Sequence, residues 1–292
     1  MTDDRIKFDV LVLGPGGAKG YLELGALLKL KQEGYLDDIS KIVGCSVGSI
    51  IGLLLITGYS PEEIFIISLL LNFFQDIHSV KIDNIVKNEG LISNDKIKIP
   101  ISFFVKEKLG FVPTLEQLYN ATGIEFTIVA VNITKCRVEY INYENNPRLS
   151  CVDAALLSVN IPFLFYNIKH NNDLYIDGKF GNPYPIDIYD TGENNILGIH
   201  ITTPYEVEEK ESDHNFINYI LRVLCYPFVQ IKRNNIDQCS DKCYHLNLHS
   251  DQLYITDVSM SVEEKGKLFI LGYTTSDEFC KKLNSNKLSI SD

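Results

Sequence analysis

A serine stands between two glycines in Gly44-Cys45-Ser46-Val47-Gly48-Ser49, with apolar residues on either side. Its hydroxyl has two readings. It can be the nucleophile of an acyl transfer, presented on a sharp strand-to-helix turn that glycine neighbours permit. It can also be the N-cap of the helix that follows. Two further stretches carry polar chemistry. Gly14-Pro15-Gly16-Gly17-Ala18-Lys19-Gly20 puts backbone N–H groups at a helix start, where anions bind, including the oxyanion of an acyl transfer. It reads equally as a bare strand-to-helix turn. Asp177-Gly178 ends a short strand, either as a general base or as a turn.

Other chemistries fit less well. A dinucleotide loop wants a third glycine where Lys19 stands, and a P-loop wants Ser or Thr where Gly20 stands. Only one or two strands fit ahead of Ser46, because a βαβ unit takes about 30 residues. An α/β-hydrolase places its elbow later than that, so the usual Ser…Asp…His architecture is disfavoured and something else must activate the serine. Cys239, Cys243, His245 and His249 are metal-ligand types. Their spacing matches neither a zinc finger nor a metalloprotease helix, so an ordinary edge strand is expected there and no metal.

The elements that must position these residues follow from patterning. Residues 8–14 and 41–45 read as buried strands, and residues 21–33 and 47–56 as helices, the first stopped by Gly34. Ser60-Pro61-Glu62-Glu63 caps an apolar helix over 61–74, which is core or the wall of a lipid entrance. Thr114 and Ser261 open two more capping boxes. Strands are expected at 125–132 and 137–142, and a helix at 151–158. A hairpin turning at Asn171-Asn172 leads into 174–177, and a further strand covers 196–201. Residues 206–213 read as an acidic loop, 214–231 as an amphipathic helix, 243–249 as an alternating strand and 283–292 as a loose tail. Such alternation of strand and helix points to one α/β domain over residues 1–282 with a mostly parallel sheet.

With 27 basic and 38 acidic residues among 292, the formal charge of −11 argues against a nucleic-acid surface and against general attraction to anionic lipid. Seven cysteines without framework spacing suggest reduced thiols and a cytoplasmic setting. The acidic N-terminus has no secretory pattern. No apolar run reaches the roughly 18 residues of a membrane span.

Taken together, these stretches resemble the patatin-like phospholipase family over most of the chain. Residues 14–20 look like its oxyanion loop and residues 44–49 like its elbow. Ser158-Val-Asn-Ile-Pro-Phe-Leu-Phe165 looks like its Ser- and Ala-rich segment, and residues 175–185 like its Asp-Gly motif with the Asn-Pro beyond. The resemblance implies a three-layer α/β/α sandwich and a Ser46–Asp177 dyad without histidine or cofactor. It implies an oxyanion hole from Gly16, Gly17 and Ala18, and an elbow framed by Gly44 and Gly48. The substrate it implies is a phospholipid or another fatty acyl ester, met by peripheral membrane contact. Two departures stand out: Pro15 replaces a glycine and cannot donate an N–H, and Lys179 stands where a small residue is usual. Neither removes the nucleophile or base, so activity is expected, with a catalytically impaired lipid- or partner-binding protein as the alternative. Lys19 and Lys179 are candidate substrate contacts.

Overall fold

The two short apolar runs nearest the N-terminus become neighbouring strands in the middle of a sheet. Burial on both faces explains why they lack polar alternation. The computed structural model describes residues 5–70, 89–202, 216–249 and 260–288. Strands β1 (Val10–Leu13), β2 (Lys41–Cys45), β4 (Glu125–Asn132), β9 (Ile196–Thr202) and β10 (Cys243–His249) run parallel, in the order β10-β9-β1-β2-β4. Beyond them, β5 (Arg137–Ile141) and β8 (Asp173–Asp177) pair antiparallel with β4, and β7 (Ile168–His170) pairs antiparallel with β8. Among the described residues this makes an eight-stranded, mostly parallel sheet. The cysteine- and histidine-bearing strand β10 is its edge, as expected.

Side chains alternate across the sheet and feed two cores. Leu11, Leu13, Ile42 and Phe126 face the larger one, with α1 (Gly20–Gln32), α2 (Val47–Ile56), α3 (Pro61–Leu70), α4 (Asp95–Leu109), α5 (Leu115–Thr122), α6 (Cys151–Val159) and α8 (Val262–Leu288). Val10, Val12, Val43 and Val129 face the other. That side is covered by Tyr184, Ile186 and Tyr189 and by the C-terminal part of α7 (Phe216–Gln238). The result is a three-layer sandwich. Two helices of the larger side, α1 and α8, pack with their backbones touching. A Cβ on Gly25 would collide with the Phe269 carbonyl, and one on Gly272 with the Leu22 carbonyl.

Several expectations shift in extent. Helix α8 continues to Leu288 and buries Leu283, so residues 283–288 are helix and not tail. Helix α7 extends seven residues past its expected end at 231. The acidic loop 206–213 and residues 71–74 lie outside the described residues. The Asn171-Asn172 turn forms with φ of 51° and 67°, joining β7 to β8. Helix α4 escaped the sequence reading because Pro100 sits inside it. The parallel pair β3 (Gly90–Ile92) and β6 (Phe163–Phe165) escaped it because each strand has only three residues. No helix among the described residues is long and apolar enough to cross a membrane.

A buried polar network fixes β8, the strand that ends at Asp177. Asn132 Nδ2 on β4 donates to Asp173 Oδ2 at 3.0 Å, and Tyr175 Oη donates to Glu139 Oε2 on β5 at 2.6 Å. Partners on three strands hold the register that sets Asp177 opposite Ala130.

Candidate active site

The turn from β2 into α2 is tight because Gly44 and Gly48 leave room for it. A Cβ on Gly44 would lie 2.5 Å from Ser49 Cα, and one on Gly48 would lie 2.5 Å from the Leu13 carbonyl oxygen. Between them Ser46 has φ 54° and ψ −129°, a costly conformation for a residue with a side chain. Its side chain makes no capping bond to α2, which removes the simple N-cap reading. Instead Ser46 Oγ donates to Asp177 Oδ2 at 2.6 Å, across 131 residues of chain. Both residues are buried, at 5% and 1% exposure.

Asp177 is held on its other side as well. Its Oδ1 accepts the Lys179 N–H at 2.8 Å, and its own N–H donates to the Asn160 carbonyl at 2.9 Å. Burial raises its carboxyl to about 6. The Ser46 hydroxyl, the Lys179 N–H and the Lys179 charge restrain that rise. A carboxyl tuned there is a better proton acceptor near neutral pH than one at its usual value of about 3.9.

Two contributors were missed from sequence. Ser158 Oγ accepts the Ser46 N–H at 2.8 Å, bracing the strained turn. Asn160, just past α6, ties that helix end to β8: its carbonyl accepts the Asp177 N–H and its Nδ2 donates to the Tyr175 carbonyl at 3.0 Å. Both lie in the Ser158–Phe165 segment, whose resemblance was legible although its roles were not.

The glycine-rich loop lies alongside. Gly17, with φ 52°, opens a short 3-10 turn over Gly17–Lys19 that runs directly into α1. Gly17, Ala18 and Ser46 line one wall of an apolar cavity of about 170 Å3. Its other walls are mostly aliphatic, among them Leu24, Ile51, Leu54, Ile67 and Ile101, with Tyr21 and Lys265 also in the lining.

A model of the patatin-like phospholipase family matches residues 11–190, a span that holds the loop, the elbow and the Asp-Gly turn. The chain belongs to this family. It is 37% identical over 188 residues to a protein of Invertebrate iridescent virus 6 named "probable lipid hydrolase 463L". That match covers 62% of this chain and 63% of the viral one. An uncharacterized protein, R571 of Acanthamoeba polyphaga mimivirus, is 26% identical over 72% of this chain and 73% of its own. Among solved structures, VipD of Legionella pneumophila superposes with a TM-score of 0.57 at 17% identity, covering 96% of this chain and 67% of VipD. ExoU in its complex with SpcU from Pseudomonas aeruginosa gives 0.53 at 18% identity, over 96% of this chain and 52% of ExoU. These neighbours share the patatin fold.

The remaining site candidates separate. Gly16 packs so closely that a Cβ there would meet Ile201 Cδ1 at 2.8 Å. Lys19 is 6% exposed and lines neither this cavity nor the next, so its burial suits ordering the loop better than meeting substrate. Lys179 does not reach the apolar cavity. It lines a second, smaller one together with Pro15. On β10, His245 is engaged by its neighbours: Nδ1 pairs with Tyr184 Oη at 3.0 Å and Nε2 with Cys239 Sγ at 3.2 Å. Among the described residues no group of three or more Cys, His, Asp or Glu is arranged to hold a metal.

Proposed function

We propose that this chain is a lipid acyl hydrolase that cleaves fatty acyl esters of phospholipids through a Ser46–Asp177 dyad. The observation that carries the reading is the 2.6 Å hydrogen bond between the two side chains at the wall of a cavity built mostly from aliphatic residues. The acyl chain fills that cavity and brings its ester carbonyl to Ser46. Ser46 Oγ bonds to the carbonyl carbon while its proton passes to Asp177 Oδ2. The carbonyl oxygen takes up the negative charge and is held by the amides of Gly16, Gly17 and Ala18. The amides of Lys19 and Gly20 are already committed to the Gly16 and Gly17 carbonyls. Each such donor is worth about 2.7–4 kcal/mol to the transition state. Collapse of the intermediate expels the alcohol, which recovers the proton from Asp177. Water then releases the fatty acid, with Asp177 as base again.

Helix α3 supports contact with a lipid surface. Ile64 and Ile67 face the cavity, whereas Ile66 and Leu70 on the same helix are exposed. The direct test is a fluorophosphonate probe. The wild-type chain should carry one adduct on Ser46, and Ser46→Ala should carry none. An unlabelled wild-type chain would leave the binding-protein alternative that Pro15 and Lys179 suggest. Wild-type turnover in Ser46→Ala or Asp177→Asn would remove the dyad.

A further inference from the structure

Pro15 of the glycine-rich loop lines a second cavity, of about 40 Å3, together with Lys179, Pro183, His200, Phe228 and Lys232 among others. A site of about 10–15 Å3 on this measure admits one water, so this one has room for a small polar group. Besides Ile201, Phe228 and Val229 it is lined by three nitrogen-bearing side chains. Two lysines line it. Lys232 is 8% exposed and donates to the Ile201 carbonyl at 3.1 Å, so an ammonium with three protons sits almost out of solvent. His200, near the end of β9, is 6% exposed and its Nδ1 has no hydrogen-bond partner among the described residues. A buried ring nitrogen without a partner carries a desolvation cost that a ligand would relieve. Burial first, then the Lys232 charge, holds the imidazole well below its usual range, and the Nδ1–H tautomer would offer its proton to an anion.

The two departures from the family pattern meet in this cavity. Pro15 forms part of its wall one residue before the loop glycines, and Lys179 enters it two residues after Asp177. Proline brings no N–H and lysine brings a charge. The two exchanges therefore leave a cavity whose donors are side chains.

We propose that this second cavity is a phosphate subsite, in which Lys179, Lys232 and His200 hold a phosphate group beside the dyad. The occupant's chemistry is a tetrahedral oxyanion, either the phosphodiester of a lipid headgroup or free phosphate. The headgroup assignment rests on the proposed acyl hydrolysis, with the acyl chain in the large cavity and the phosphate in the second. Binding itself does not depend on turnover.

The test therefore begins with the full-length Ser46→Ala protein, which cannot turn over. Inorganic phosphate and glycerophosphocholine are titrated separately and followed by 31P line broadening and by calorimetry. At least one should bind, and Lys179→Gln and Lys232→Gln in that background should weaken it tenfold or more. Should Lys232→Gln fail to fold, as its thermal melt would report, Lys179→Gln carries the comparison alone because its side chain is partly exposed. The second arm uses chains with Ser46 intact. It compares kcat/KM for a short-chain phosphatidylcholine with that for p-nitrophenyl butyrate, which has no phosphate. A tenfold fall in that ratio in Lys179→Gln assigns the site to the headgroup. Binding of inorganic phosphate with an unchanged ratio assigns it to free phosphate. If neither compound binds, or if both variants bind as the parent does, the subsite does not exist. That result would stand whether or not the enzyme hydrolyses lipid.

Discussion

Two cavities share one loop, and they differ in the polar groups set into their apolar linings. The larger is walled mostly by aliphatic side chains from α1, α2, α3 and α4, with the Ser46 hydroxyl and the loop glycines at one wall. The smaller sets two lysines and a buried imidazole among two prolines, Ile201, Phe228 and Val229. An ester of a long acyl chain and a phosphate-bearing alcohol has this same polarity, apolar on one side of the carbonyl and anionic on the other. If the proposed subsite holds a phosphate, the contrast shows how a protein of net charge −11 would recognise one. Long-range attraction is unfavourable, but a pair of cations within a low-dielectric pocket acts at short range and is screened little by salt.

Breaking the dyad should have the largest effect. Ser46→Ala and Asp177→Asn should each lower kcat on acyl esters by about 10^4- to 10^6-fold, the range seen when members of a catalytic unit are removed. Circular dichroism should stay native, because the amide introduced by Asp177→Asn keeps an acceptor for the Lys179 N–H. Gly44→Ala comes next. Its new methyl would lie 2.5 Å from Ser49 Cα, so the elbow must open. Activity should fall at least about a hundredfold, with stability lower by about 1–3 kcal/mol as in an overpacked core. Urea melts alongside turnover separate the two losses.

A milder change acts on the acyl cavity alone. Ile67 is buried and lines it, so Ile67→Trp should shorten the space available to the chain. Each methylene denied burial costs about 0.8 kcal/mol, or roughly fourfold. The ratio of decanoyl to butyryl ester hydrolysis should fall by that factor per excluded methylene, while the short ester changes little. An unchanged ratio would mean that the acyl chain lies elsewhere.

Most of the frame behind this comparison could be read from the sequence, because it depends on local chemistry. The β-branched runs, the capping boxes and the Asn171-Asn172 turn each state their conformation within a few residues. Ser46 and Asp177 could be paired only through the family resemblance, since nothing local in either motif brings them together. Their 2.6 Å meeting depends on β8 pairing antiparallel to β4, a long-range register fixed by Asn132, Asp173, Tyr175 and Glu139. The second cavity was illegible for the same reason. Its residues come from four separate stretches, and nothing local in Pro15, His200 or Lys232 announces that they meet. Helix α4 was hidden by Pro100, whose local penalty is overridden by the burial of Ile97, Ile101 and Val105.

The smallest expected effects concern proton uptake at the boundary of the two cavities. With its carboxyl raised to about 6, Asp177 is protonated and unable to act as base below that pH. Log kcat/KM should therefore rise with unit slope up to about pH 6 and flatten above it. The hydrogen bonds from Ser46 and from the Lys179 N–H, together with the Lys179 charge, restrain that rise. Lys179→Gln should thus move the inflection upward, and an inflection that stays put would remove that ammonium from the dyad's surroundings. Stability follows with a fixed sign. A carboxyl that binds its proton more tightly when folded stabilises the fold below the unfolded value near 3.8, and that contribution is lost as pH rises through about 6. The wild-type protein thus carries a buried carboxylate at a cost above pH 6. Asp177→Asn should be more stable than wild type at pH 7–8, by about 1–3 kcal/mol at 1.36 kcal/mol per pKa unit. The gap should close as pH falls toward 4. If urea midpoints show no pH-dependent difference between the two, desolvation does not set the basicity of Asp177, and the case for tuning by burial fails with it.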